Sequence, residues 1–299
     1  MTEAAGARTR TVGVVGLGAM GLPIANALTT RRPVLVYDAV PAASSRAAAV
    51  GLPVAGSLTE LAQSCNTVLL SLPSAAAVEE VVAEIAPNAP GLLILDTSTI
   101  GPEDSRRIGA LALADGSTYL DTPILGRPDM VGSWTIPVGG PVAAHAAVAD
   151  VLAPIAQRVV HVGDLGAAAT LKVANNLMFS VINAVTAEAL LLAQAAGLDP
   201  GVFVDTVMDS GAATVSGLFR SIAPRAVDGE FAPTFSIELV RKDNDLAVQL
   251  ATSLGLELAV GSAARDLHDR AVLAGHGAED SVAVLRLLEE EYGQEARRH

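Results

Sequence analysis

An α/β fold is predicted by this sequence: an N-terminal doubly wound sheet domain followed by an all-α domain, with one long helix joining them. Three observations carry the prediction. From residue 11 to about 162, short β-rich apolar runs alternate with helix-period segments, the pattern of a doubly wound sheet. After Gly163 the strand signal stops and every later pattern is helical. Between the two lies a single helical run, residues 167–196, well beyond the usual length of a globular helix. The expected division is a flexible tail at residues 1–10, a sheet domain at 11–163 and a helical domain at 164–299.

The elements follow in order. Residues 12–15, 34–37, 67–70 and 92–95 are strand-length runs rich in Val and Leu. Their apolar character is nearly continuous, as in strands buried on both faces of a parallel sheet. Helix patterns occupy 20–30, 41–50, 57–63, 75–85 and 102–114, and further strands at 118–120, 135–138 and 159–161 extend the sheet. The long helix ends at Gly197 and Pro200. Helical patterns then cover 200–208, 215–223, 237–254, 261–273 and 281–292. A helix so long and apolar has several faces to bury, which predicts a homodimer or homotetramer through the helical domain.

Composition narrows the function. The chain has 299 residues, 19 of them basic and 32 acidic, for a net charge of -13. With no basic run, neither nucleic acid nor an anionic membrane surface is an expected partner. Mean hydropathy is high (+0.45). Yet the most apolar stretch, residues 177–198, is broken by Asn183, Glu188 and Gln194, so no membrane-spanning helix is expected. Residues 1–10 lack the apolar core of a signal peptide. Cys65 is the single cysteine, which excludes an intrachain disulfide and fits a reducing, cytoplasmic location. The five histidines form no metal-ligand spacing, so no metal is expected; His268 and His276, among charged residues, read as a solvated helix face. Of the basic residues only two are lysines, Lys172 and Lys242.

One motif carries a cofactor. Gly16-Leu17-Gly18-Ala19-Met20-Gly21 follows a strand directly and opens a helix, the Rossmann fingerprint for a dinucleotide. Gly16 permits the tight turn, Gly18 the approach of backbone to a diphosphate, and Gly21 close packing of helix on strand. Asp38 ends the next strand, 22 residues after Gly16. A carboxylate there accepts from the ribose hydroxyls and repels a 2′-phosphate, so NAD is expected rather than NADP. Arg31 and Arg32 precede the second strand, the wrong side for a phosphate clamp, and Arg46 reads as solvated.

With these residues in view, the chain resembles the β-hydroxyacid dehydrogenases from about residue 11 to 290. Besides the glycine motif, the resemblance rests on Ser71-Leu72-Pro73, Asp96-Thr97-Ser98-Thr99, the segment from Gly163 to Lys172-Val-Ala-Asn-Asn176, and Phe235-Ser-Ile-Glu-Leu-Val-Arg-Lys242-Asp243. It implies that Leu72 and Pro73 lie along the adenosine side of the cofactor. It places Thr97, Ser98, Phe235 and Lys242 near the nicotinamide and substrate. It implies an NAD-dependent oxidoreductase of a small β-hydroxyacid or its semialdehyde, with Lys172 as general acid and base.

The residues allow that chemistry on their own terms. Moving a hydride to or from a carbinol carbon needs a group that exchanges the hydroxyl proton. A lysine can serve where its surroundings lower its pKa. Lys172 and Asn176 are four apart on one helix and share a face, so Asn176 can orient the substrate. Lys242, flanked by Arg241 and Asp243, is either a nicotinamide-side residue or a plain surface charge.

One loop departs from the family. Its substrate loop usually reads APVSGG, whereas this chain has Thr122-Pro-Ile-Leu125-Gly126-Arg127-Pro-Asp129. Leu125 stands where a serine hydroxyl is usual. The backbone at Gly126 can still hold a carboxylate, and Arg127 either adds a bidentate pair or points to solvent. The Gly126-Arg-Pro-Asp129 stretch is also similar to a loop of imine reductases, which makes an NAD(P)H-dependent reductase of C=N bonds the alternative. A non-catalytic NAD-binding protein is the third reading, against which the presence of Lys172 counts.

Overall fold

The computed structural model of the protein describes residues 11–210 and 216–298. The expected tail at 1–10 and the first residue of the helix expected at 215–223 lie outside the described residues. The chain forms two compact units, residues 1–172 and 173–299. The division falls nine residues after the expected boundary at 163/164, inside the long helix, because that helix opens in the first unit and continues into the second.

The first unit alternates strand and helix: β1 (Val12–Val15), α1 (Gly21–Leu28), β2 (Val34–Tyr37), α2 (Pro41–Ala49), α3 (Leu58–Ser64), β3 (Thr67–Leu70), α4 (Ala75–Asn88), β4 (Leu93–Asp96), α5 (Pro102–Ala114), β5 (Thr118–Asp121), β6 (Trp134–Gly139), α6 (His145–Leu152) and β7 (Ala156–Gly163). The sheet order is β2-β1-β3-β4-β5-β6-β7, parallel from β2 through β5. Successive strand residues face opposite sides. Val14, Leu69 and Leu95 accordingly join one core with Ile24 of α1 and Val148 of α6. Val15, Val68, Leu70 and Ile94 join the other core with Leu61, Val82 and Ile108. Burial on both sides is why these strands read as unbroken apolar runs.

Two features depart from the expected pattern. β6 runs antiparallel to β5, meeting it at the single pair Asp121↔Gly139. The connection between them holds only the short 3-10 turn Pro128–Met130, and without a helical crossover the chain must return antiparallel. α6 is a helix that the sequence reading leaves unassigned. Its eight residues bury only Val148, Val151 and Leu152, too brief a period to stand out.

The second unit is helical. α7 (Ala167–Ala195) opens in the first unit, and α8 (Pro200–Asp209), α9 (Gly217–Val227), α10 (Ile237–Ser253), α11 (Ala259–Ala271) and α12 (Val284–Tyr292) follow. Their core gathers Leu190, Val204, Ile222, Ile237, Leu267 and Leu285 among others. Ser216 and Ser236 cap α9 and α10 by accepting from the amides of Phe219 and Leu239.

Two sequence expectations are corrected in this unit. α7 is, by length and composition, long and apolar enough to cross a membrane. Two polar side chains on it are hydrogen-bonded within the unit. Ser180 Oγ donates to Asn244 Oδ1 (2.6 Å) and Asn183 Nδ2 to the Ser281 carbonyl (2.5 Å). His268 and His276 are buried, at 0% and 6% exposure, rather than on a solvated face. His268 Nδ1 lies 2.7 Å from the Ala264 carbonyl, and burial lowers its pKa. His276 bridges Glu279 and Glu290 (3.2 and 3.1 Å).

Candidate active site

The glycine motif closes the turn between β1 and α1. Gly16 has φ +90°, a conformation that disfavours any side chain, and a Cβ there would fall 2.2 Å from the Ser71 carbonyl. A Cβ on Gly21 would fall 1.8 Å from the Gly16 carbonyl, so the helix packs onto its own turn. A Cβ on Gly18 would meet nothing within 4 Å. Gly18 and Ala19 are exposed, Met20 is half-buried and Leu17 is anchored in the core. The turn is therefore packed below and open above, which fits a dinucleotide diphosphate approaching the helix N-terminus.

Asp38 follows β2 immediately. Its Oδ2 accepts from the Leu17 amide (2.6 Å) and its Oδ1 from the Val40 amide (2.7 Å). Two amides thus hold the carboxylate beside the glycine turn. Arg32 is turned away into an ion pair with Asp150 (3.1 Å), and Arg31 and Arg46 are exposed.

The loops after β3 and β4 are tied to each other. Thr97 donates both its amide (2.8 Å) and its hydroxyl (2.7 Å) to the Leu70 carbonyl. Ser98 Oγ accepts from the Leu72 amide (2.9 Å). The side chains of Thr97 and Ser98 are buried and support the Ser71-Leu72-Pro73 turn, with Leu72 and Pro73 themselves half-buried or exposed. Asp96 lies beneath, accepting from Tyr119 Oη (2.6 Å) and the Ser98 amide (2.9 Å). Burial pushes its carboxyl above the ordinary range, against the pull of those bonds.

Lys172 Nζ donates to the Ile124 carbonyl at 2.8 Å, so the half-buried ammonium sits against the loop that departs from the family pattern. That loop is held from below. Leu125 exchanges backbone hydrogen bonds with Thr135 (2.9 and 3.3 Å). Trp134, fully buried, donates Nε1 to the Arg127 carbonyl (2.7 Å). Gly126 has φ +159°, and a Cβ there would lie 2.1 Å from the Trp134 ring. Leu125 and Arg127 are half-buried and Gly126 is exposed.

The second unit carries its own cluster. Asn176 is buried on α7 and donates to Asp243 Oδ2 (2.5 Å). Lys242 Nζ pairs with Asp243 Oδ1 (3.1 Å) at 30% side-chain exposure. Phe235 packs edge-on against Phe179 with ring centroids 5.3 Å apart. Asp243 therefore joins Asn176 to Lys242. Sequence reasoning missed that role, although the residue stands beside Lys242 in the motif. Asp121 was missed because its partners lie 45 and 48 residues away, and Trp134 because its bond to the loop is made to a backbone carbonyl. Among the described residues, no group of three His, Cys, Asp or Glu side chains is placed to hold a metal ion.

Two family models cover nearly the whole chain. Residues 11–163 match the NAD binding domain of 6-phosphogluconate dehydrogenase. Residues 166–288 match the model described as NAD-binding of NADP-dependent 3-hydroxyisobutyrate dehydrogenase. The chain belongs to the β-hydroxyacid dehydrogenase family. A curated member, L-threonate dehydrogenase of Cupriavidus necator, is 31% identical over 288 residues, spanning 94% of this chain and 96% of that protein. The solved 3-hydroxyisobutyrate dehydrogenase of Mycobacterium tuberculosis with L-serine superposes with TM-score 0.85 at 30% identity, covering 94% of this chain and 99% of that one. A reductive aminase of Aspergillus terreus, solved with NADPH, cyclohexanone and allyl amine, is more distant: TM-score 0.64 at 25% identity, covering 94% and 99%. As a β-hydroxyacid dehydrogenase, the chain is an NAD(P)-dependent oxidoreductase acting on CH–OH groups.

Proposed function

We propose that the protein interconverts a small β-hydroxyacid and its semialdehyde with NAD, using Lys172 as general acid and base. The observation that carries this reading is the 2.8 Å hydrogen bond from Lys172 Nζ to Ile124, at the head of the loop that replaces the family's substrate loop. An ammonium has three N–H donors, so one can hold the loop carbonyl while another serves a substrate oxygen. In oxidation the neutral amine takes the hydroxyl proton; in reduction the ammonium returns it to the carbonyl oxygen. Bound NAD supplies the hydride acceptor and its reduced form the donor. Gly16, Leu17, Gly18, Ala19, Met20 and Gly21 would hold the diphosphate, Asp38 the ribose hydroxyls, and Leu72 and Pro73 the adenosine side.

NAD rather than NADP is supported by the two amides that fix the Asp38 carboxylate and by the ion pair that occupies Arg32. In the first unit, Gly126 and Arg127 would hold the substrate, and Thr97 and Ser98 would support the nicotinamide side. In the second unit, Asn176, oriented by Asp243, would serve the substrate, and Phe235 and Lys242 the nicotinamide. Leu125 in place of a hydroxyl residue favours a substrate with an apolar group there. We further propose a homodimer or homotetramer assembled through the helical domain. Its support is the line of exposed apolar residues Leu171, Met178, Val185 and Leu192 along α7. The single free cysteine, Cys65, suits a reducing cytoplasm.

The likeness to the reductive aminase and the Gly126-Arg-Pro-Asp129 stretch favour a second reading, reduction of C=N bonds. One screen separates the two. The purified protein is assayed with NADH and NADPH against three- to five-carbon hydroxyacids, their semialdehydes and cyclic imines. Turnover of a hydroxyacid pair with NADH is expected. NADPH-dependent reduction of imines alone would replace the first reading with the second.

A further inference from the structure

We propose that Asp121 is the positioning residue of Lys172: its carboxylate ties the strand that leads into the loop at 124–127 to the helix that carries the lysine. The inference rests on the reading of Lys172 as acid and base.

The connection is a closed ring within the first unit. β5 ends at Asp121. Asp121 Oδ1 accepts from the Gly166 amide (3.0 Å) and Oδ2 from the Ala169 amide (2.7 Å). Both oxygens therefore grip the first turn of α7, which fixes its axial position and its rotation together. One turn on, Lys172 Nζ reaches the Ile124 carbonyl (2.8 Å), and Ile124 lies three residues beyond Asp121. Each link is a hydrogen bond of ordinary length.

A helix start needs a cap, but not this one. Asp164 stands three residues before α7 and is exposed, so an acid was available locally. The helix is instead gripped by a carboxylate 45 and 48 residues away in sequence, 2% exposed and buried at a cost to its charged form. β6 leaves room for the same group: a Cβ on Gly139 would lie 2.3 Å from Asp121 Oδ1, so the carboxylate packs where only a glycine admits it. A local cap would stabilise α7 equally well. Only a cap from the strand entering the loop fixes the lysine relative to that loop.

The test is a double-mutant cycle of Asp121→Asn and Lys172→Ala, with kcat, KM and NADH affinity measured for all four proteins. Asp121→Asn keeps the shape but replaces one acceptor by a donor facing an amide. It is expected to lower kcat by about 100-fold, the order seen when a reacting group shifts by about 1 Å, with KM and NADH affinity essentially unchanged. In the Lys172→Ala background the same change is expected to cost nothing further. An unchanged kcat, or an equal loss in both backgrounds, overturns the proposal and leaves Lys172 in its role. Undiminished turnover by Lys172→Ala alone instead overturns the reading of the lysine, and this proposal with it. Asp121→Ser is a second variant, read by the same criteria should the asparagine protein not fold.

Discussion

In the proposed NAD site, the choice of cofactor rests on one side chain, Asp38. Its two oxygens are each held by a backbone amide, so the charge cannot swing aside to admit a 2′-phosphate. Asp38→Asn removes that charge while keeping the shape. Hydrogen bonds to charged groups contribute about 1.5–3 kcal/mol, so NADH affinity should fall by about 10- to 100-fold while NADPH affinity rises. Fluorescence titration with both nucleotides checks it; unchanged preference would remove Asp38 from the cofactor site. At this scale, the residues to which the sequence drew attention are those with a local signature. Asp38 stands at a fixed interval after the glycine turn, and the two lysines are rare enough to draw the eye. Residues whose role lies in a distant partner were not legible there. Asp121 looks like any acid at a strand end until α7 is seen on it. His268 and His276 sit among charged neighbours in sequence yet are buried, because helical packing and not adjacency decides their surroundings.

At the level of elements, α7 carries residues of both compact units. It bears Lys172 and Asn176 four residues apart, and its polar side chains at 176, 180 and 183 bond inward to α10 and the Ser281 turn. Another face carries Leu171, Met178, Val185 and Leu192 at intervals of seven, exposed by 36%, 64%, 54% and 71%. A seven-residue apolar repeat is the spacing by which one helix seats against another. Val185→Glu with Leu192→Glu should therefore shift sedimentation toward the monomer while helix content is retained. Unaltered assembly would remove this face from the interface. The sequence announced α7 by its length but not its internal bonds. It also gave no warning of the antiparallel β6, because strand direction depends on what the connecting loop can span.

On the scale of the whole molecule, each compact unit carries some of the residues to which the proposal gives a role. The first holds the glycine turn, Asp38, the supported loops and Lys172; the second holds Asn176, Asp243, Lys242 and Phe235. Apart from α6, the alternation of strand and helix followed by helix alone was legible, since each unit buries its elements in the manner its sequence period implies. What joins residues across the sequence was not, and the contact of Lys172 with Ile124 is of that kind. In the proposed function Lys172 moves the proton and does not bind the cofactor. The most direct test is steady-state turnover of Lys172→Ala beside its NADH affinity. The account predicts a fall in kcat of about 10²- to 10⁴-fold, the usual contribution of a general acid or base, with NADH binding essentially unchanged. Retained turnover, or turnover lost only in step with NADH binding, would contradict it.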